Sequence, residues 1–82
     1  MVYLEKKEVN DAFVKYYYFT IRGTEKGVLV YYPNTDTRIV EKYCEGDTEE
    51  SYMSKHRGHA FRRIKEYASK NNYPERDIVA WG

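Results

Sequence analysis

Three runs rich in β-branched and aromatic residues, Ala12 to Arg22, Val28 to Tyr32 and Thr37 to Cys44, follow one another with only short links between them, and this succession constrains the fold most. Such runs favour strands, and links this short join only antiparallel neighbours. Gly23-Thr24-Glu25-Lys26-Gly27 offers two residues that accept positive φ, while in Pro33-Asn34-Thr35-Asp36 proline presets φ and the Asn and Asp side chains bond nearby backbone. A weaker alternation over Val2 to Glu8, closed by the turn-prone pair Asn10-Asp11, places another strand ahead of these. The expectation is an antiparallel meander of three to four strands.

The character of the chain changes at Gly46-Asp47-Thr48-Glu49-Glu50, where Asp47 or Thr48 can cap free N–H groups and the carboxylates suit a helix N-terminus. A helix is predicted to start there or one turn later. On a helical wheel Met53, Ala60, Phe61, Ile64, Tyr67 and Ala68 form an apolar stripe about 120° wide, the face expected to meet the sheet. Asn71-Asn72-Tyr73-Pro74 ends the helix, because Asn tolerates left-handed geometry and a residue before proline avoids the helical region. Ile78 to Trp81 reads as a short last strand or docked tail. Residues 1–82 thus form a single small α+β domain, ββββαβ-like, with one helix on one face of the sheet.

A domain of 82 residues leaves much apolar surface uncovered unless something outside it helps, so association is plausible from size alone. The net charge of +1 names no partner. Cys44 is the only cysteine, so no internal disulfide forms, and no apolar stretch near Met1 is long enough for a signal peptide or a membrane span. A cytoplasmic, non-membrane protein is expected.

Ten tyrosines against three phenylalanines and one tryptophan are the compositional anomaly. Strand alternation sends Phe13, Lys15, Tyr17, Phe19 and Ile21 to one face and Val14, Tyr16, Tyr18, Thr20 and Arg22 to the other. Both faces carry apolar bulk, yet one helix covers only one. An antiparallel sheet with a solvated second face should alternate apolar with polar, so the second face here calls for a covering surface. The function read from this is a non-enzymatic protein-interaction module, of the accessory or inhibitory kind, associating through a tyrosine-rich sheet face or an exposed edge, with Tyr16, Tyr18, Arg22 and Tyr31 at the interface and a protein partner or a second copy as occupant. The competing account is a solvent-facing tyrosine lattice held by cross-strand pairs.

Two other classes compete. The helix region carries Arg57, Arg62, Arg63 and Lys65, and residues 51–82 sum to +4 while residues 31–50 sum to −4, which would suit a small nucleic-acid-binding domain. On the wheel, however, Arg62, Arg63 and Lys65 spread with Lys55 over a broad arc that includes Glu66, a solvated face rather than a focused stripe. Arg57 falls inside the apolar stripe if the helix runs through Gly58. Either 54–58 is a loop or irregular turn, the favoured account because interior glycine is costly, or Arg57 points inward to an acid such as Glu41 or Glu45, or to an anionic ligand. The second alternative is a small enzyme using His56, His59 or Cys44. Those three do not complete a zinc site, and nothing in the sequence orients a nucleophile, so neither metal, cofactor nor catalytic residue is assigned.

Overall fold

The structure, a computed structural model, describes residues 1–48 and 54–81. Its elements are β1 (Val2–Val9), β2 (Val14–Phe19), β3 (Gly27–Tyr32), β4 (Thr37–Lys42), α1 (Ser54–Lys70) and β5 (Arg76–Val79). Every strand pairing is antiparallel and the order across the sheet is β4-β3-β2-β1-β5. The first four strands are the expected meander. After the helix the chain returns to place β5 beside β1, a position the sequence left open.

The links work through the expected chemistry. Asn10 Oδ1 accepts the N–H groups of Ala12 and Phe13 at 2.8 and 2.9 Å, which closes the first hairpin with a side chain in place of a backbone acceptor. Thr24 anchors the second turn by donating its hydroxyl to the Ile21 carbonyl at 2.6 Å, and Gly23 takes a φ of +84°. Gly27 serves differently. A side chain there would strike the Tyr18 ring and the backbone of Lys42 and Cys44, so this glycine lets β3 approach its neighbours closely.

Register decides which residues share a face. Tyr16 stands opposite Lys6 and Leu29, and Val14 opposite Val9 and Tyr31, so Val2, Leu4, Val14, Tyr16, Tyr18, Leu29 and Tyr31 point to one side. Against them α1 lays Ala60, Phe61, Ile64 and Tyr67, with Ala68 at the margin, touching β1, β2, β3 and β5. This is the core, and each large side chain it buries contributes about 1.5–3 kcal/mol. Met53, Glu49 and Glu50, named in the helix prediction, lie outside the described residues.

The helix runs unbroken through Arg57 and Gly58, so the loop expected over 54–58 is not formed. Nothing crowds Gly58, and the continuous helix carries Arg57 inward. At the other end Asn71 adopts φ +49° and the Asn72 N–H donates to the Tyr67 carbonyl at 3.1 Å, the left-handed stop foreseen from Asn71-Asn72.

Candidate interaction surface

The structure separates the tyrosines by face. Tyr16 and Tyr18 are 0% exposed and Tyr31 is 3% exposed, all three beneath the helix, so none of them lies on a surface that a partner could reach. Each hydroxyl reaches an acceptor at the rim of the core: Tyr16 donates to the Pro74 carbonyl at 2.6 Å, Tyr18 to Asp47 Oδ2 at 2.6 Å and Tyr31 to Asp36 Oδ1 at 2.7 Å. A buried ring with a satisfied hydroxyl is a core residue. Burial raises the Tyr16 and Tyr18 phenols well above the usual tyrosine range, and for Tyr18 the bond to Asp47 raises it further.

Beside them lies the destination of Arg57. Its guanidinium forms an ion pair with Asp47, whose carboxylate also receives the Tyr18 hydroxyl, and it donates to the Thr48 carbonyl at 3.0 Å while lying 5.1 Å from the centre of the Tyr43 ring. Among the described residues the acid paired with Arg57 is thus Asp47, where Glu41 or Glu45 was expected. The Tyr18 hydroxyl in turn accepts the Cys44 N–H at 3.1 Å, so this cluster fastens residues 43–48 to the sheet and the helix.

The other candidates disperse. Arg63 pairs with Asp77 at 2.8 Å and Lys65 with Asp36 at 3.4 Å, while Arg62 is exposed with no ion pair among the described residues. Burial would raise the Asp77 carboxyl, but hydrogen bonds from Tyr67 and Arg63 outweigh that and hold it below the usual range. Three of the four basic residues are thus neutralised by acids of the same chain. Cys44 is buried and its thiol is pushed up by desolvation, the reverse of what a nucleophile needs. His59 stacks on Trp81 with ring centres 4.2 Å apart and His56 meets the same indole edge-on at 4.9 Å, a packing arrangement that holds residue 81 against the helix. Among the described residues no group of three His, Cys, Asp or Glu side chains is placed to hold a metal, and no helix is long and apolar enough to cross a membrane.

The opposite face of the sheet carries Tyr3, Glu5, Lys15, Tyr17, Phe19, Val28, Val30, Ile39 and Ile78, and no element of the described chain lies over it. Its centre is lidded by its own cations. Lys7 and Lys26 sit 5.5 and 5.7 Å from the centre of the Tyr17 ring, and Lys15 sits 5.1 Å from that of Phe13. These lysines are tethered in turn, Lys26 to Glu5 at 2.5 Å and Lys15 to Glu41 at 2.9 Å.

Towards β5 the face opens into a groove of about 410 Å³. Tyr3 and Phe19, opposite each other on β1 and β2, stack with centres 5.2 Å apart, and Ile78 lies on the other side of Tyr3, 49% exposed. Arg22 and Arg76 border it. Alternation had grouped Arg22 with Tyr16 and Tyr18, but β2 ends at Phe19 and the turn that follows brings the guanidinium to 5.1 Å from the Tyr3 ring centre. Of the four predicted interface residues, Arg22 is the one at the open face. Tyr3, Phe19 and Ile78 were not singled out from the sequence. A signal was available in Lys15, a cation in mid-strand that marks its own face, shared with Phe19, as the solvated one.

Comparison with known proteins gives no match: no family model, no curated protein and no solved structure is similar to this chain.

Proposed function

We propose that the protein is a non-enzymatic interaction module, of the accessory or inhibitory kind, which associates through the open face of its sheet where β5, β1 and β2 meet. The observation that supports this reading is the groove itself, where a partly exposed Tyr3 and a half-exposed Ile78 lie beside the buried Phe19 and two arginines, while lysines stand over Tyr17 at the centre of the face. Aromatic and arginine side chains around an apolar centre are the composition of protein-binding patches. The module works on a protein surface, in a reducing compartment where Cys44 stays a thiol.

Nucleic-acid binding through the helix draws less support, because Arg57, Arg63 and Lys65 already have acid partners. A photo-crosslinking side chain introduced at Ile78 and, separately, at Arg62 tests the choice in an extract of the source cells. Adducts at position 78 and few at position 62 are expected; the reverse distribution would overturn the assignment of the face. Light scattering over a protein-concentration series at low and high salt, run alongside, separates a second copy from a different partner, since an apolar contact survives salt that screens surface charge.

A further inference from the structure

The groove's borders carry more than its apolar floor. Two acids line it, and both are engaged from outside: Glu5 is bound by Lys26 at 2.5 Å, and Asp77 receives Tyr67 and Arg63 at 2.5 and 2.8 Å. Its two arginines are not balanced in the same way. Arg22 has no ion pair among the described residues, and Arg76, its side chain 85% exposed, approaches Glu5 no nearer than 3.9 Å. A guanidinium beside a ring and without an ion pair keeps N–H groups for an anion, and its fork matches a carboxylate.

The groove is about half open to solvent, which disfavours a small molecule that needs most of its surface enclosed. It lies beside β5, an edge strand, but edge pairing is blunted there because the Ile78 N–H is taken by Asp77 Oδ1 at 2.8 Å. An occupant therefore lies over the face instead of extending the sheet. Nucleic acid is disfavoured because two arginines interspersed with Glu5 and Asp77 make no continuous basic track for a phosphate backbone.

Resting on the module reading above and naming its partner, we propose that the groove receives an extended segment of another protein in which an aromatic residue is flanked by carboxylates. The aromatic side chain packs on Ile78 and the exposed part of Tyr3, beside the buried Phe19, and the carboxylates pair with Arg22 and Arg76. In an extended chain side chains alternate in direction, so those that face the groove together are two residues apart, and the motif is acid-x-aromatic-x-acid.

The probe is the peptide Gly-Glu-Ser-Trp-Ser-Glu-Gly added to the ¹⁵N-labelled full chain, with amide shifts as the readout. Shifts confined to Tyr3, Phe19, Arg22 and Ile78 are expected, saturating with a Kd at or below about 1 mM, the range of a single short anchor. Arg22→Glu with Arg76→Glu, both exposed and remote from the core, should weaken binding about tenfold or more with the remaining spectrum unchanged. Replacing Trp by Ser, or both Glu by Lys, should abolish it.

The proposal is overturned if no amide shifts at several times that concentration, or if the Lys-flanked peptide binds as well. Tighter binding of oligothymidylate at these amides would make the occupant nucleic acid. Shifts that follow protein concentration and not peptide would make it a second copy. Crosslinking at position 78 without peptide binding would remove the carboxylate–aromatic class and leave the module reading standing, whereas loss of both would remove the two together.

Discussion

The two faces of the sheet use tyrosine in opposite ways. Under the helix, Tyr16, Tyr18 and Tyr31 bury their rings and hand each hydroxyl to one fixed acceptor at 2.6–2.7 Å. On the open face, Tyr3 and Tyr17 lie beneath cationic side chains, Arg22 in one case and Lys7 with Lys26 in the other. The first arrangement excludes water and fixes geometry; the second covers apolar surface with groups that a partner can displace at small cost. A tyrosine-rich sheet is thus not one surface repeated twice, and what separates its faces is whether the hydroxyl or the ring carries the specific contact.

Alkali should break the covered face as a whole. Burial raises Tyr16, Tyr18 and Tyr67 above the ordinary value of 10, with bonds to Asp47 and Asp77 adding to it for the last two. A phenol whose folded value is raised stabilises the fold fully below its unfolded value, and that contribution disappears as pH rises from about 10 towards the folded value. Tyrosinate absorbance from these three should therefore appear only together with loss of the far-ultraviolet circular dichroism. A smooth ionisation of all ten tyrosines in a chain that stays folded would contradict the burial described here.

A single substitution at the foot of that face comes next. Asp47→Ala removes a buried carboxylate that pairs with the Arg57 guanidinium and takes the acceptor from the Tyr18 hydroxyl, so urea unfolding should show a loss of about 3–5 kcal/mol. Tyr18→Phe keeps the ion pair and should cost less. Equal losses would mean that the hydroxyl, not the charge, holds residues 43–48 in place.

Neighbouring residues then compare the faces directly, since Leu29 and Val30 are both nearly inaccessible but point to opposite sides. Leu29→Ala opens a cavity between sheet and helix and should cost about 2–5 kcal/mol, whereas Val30→Ala removes fewer atoms from a site that lysine stems and water refill, at about 1 kcal/mol. Equal costs would show the open face to be packed as firmly as the core.

How much of this was legible follows from which signals are local. Turn chemistry at Asn10 and Pro33 to Asp36, the helical stop at Asn71 and the apolar stripe from Ala60 to Ala68 are set by neighbours in sequence, and they placed the meander and the helix. The choice of covered face depends on long-range packing, so alternation sorted Tyr16 and Tyr17 onto different faces without showing which one the helix would take. Arg22 escaped the alternation because β2 stops at Phe19. Ile78 joins the groove only because β5 returns beside β1, and Arg57 finds Asp47 because one helical turn carries it inward past an exposed glycine.

The smallest effect tests the lid. Lys26 lies over both Tyr17 and Phe19 and holds Glu5, one of the groove's two acids. Its side chain is partly exposed, so Lys26→Ala should change stability by no more than about 0.5–1 kcal/mol. Its effect on affinity should differ in sign between an apolar and an acidic segment: more of the Phe19 ring is uncovered, yet Glu5 is released to face Arg76 or an incoming carboxylate. Affinity for the uncharged peptide Gly-Ser-Ser-Trp-Ser-Ser-Gly should therefore rise while affinity for the Glu-flanked peptide falls. If both rise together, Glu5 plays no part in selection and the lysine is a cover alone; if both fall, Lys26 itself contacts the bound segment, and the lid belongs to the binding surface instead of guarding it.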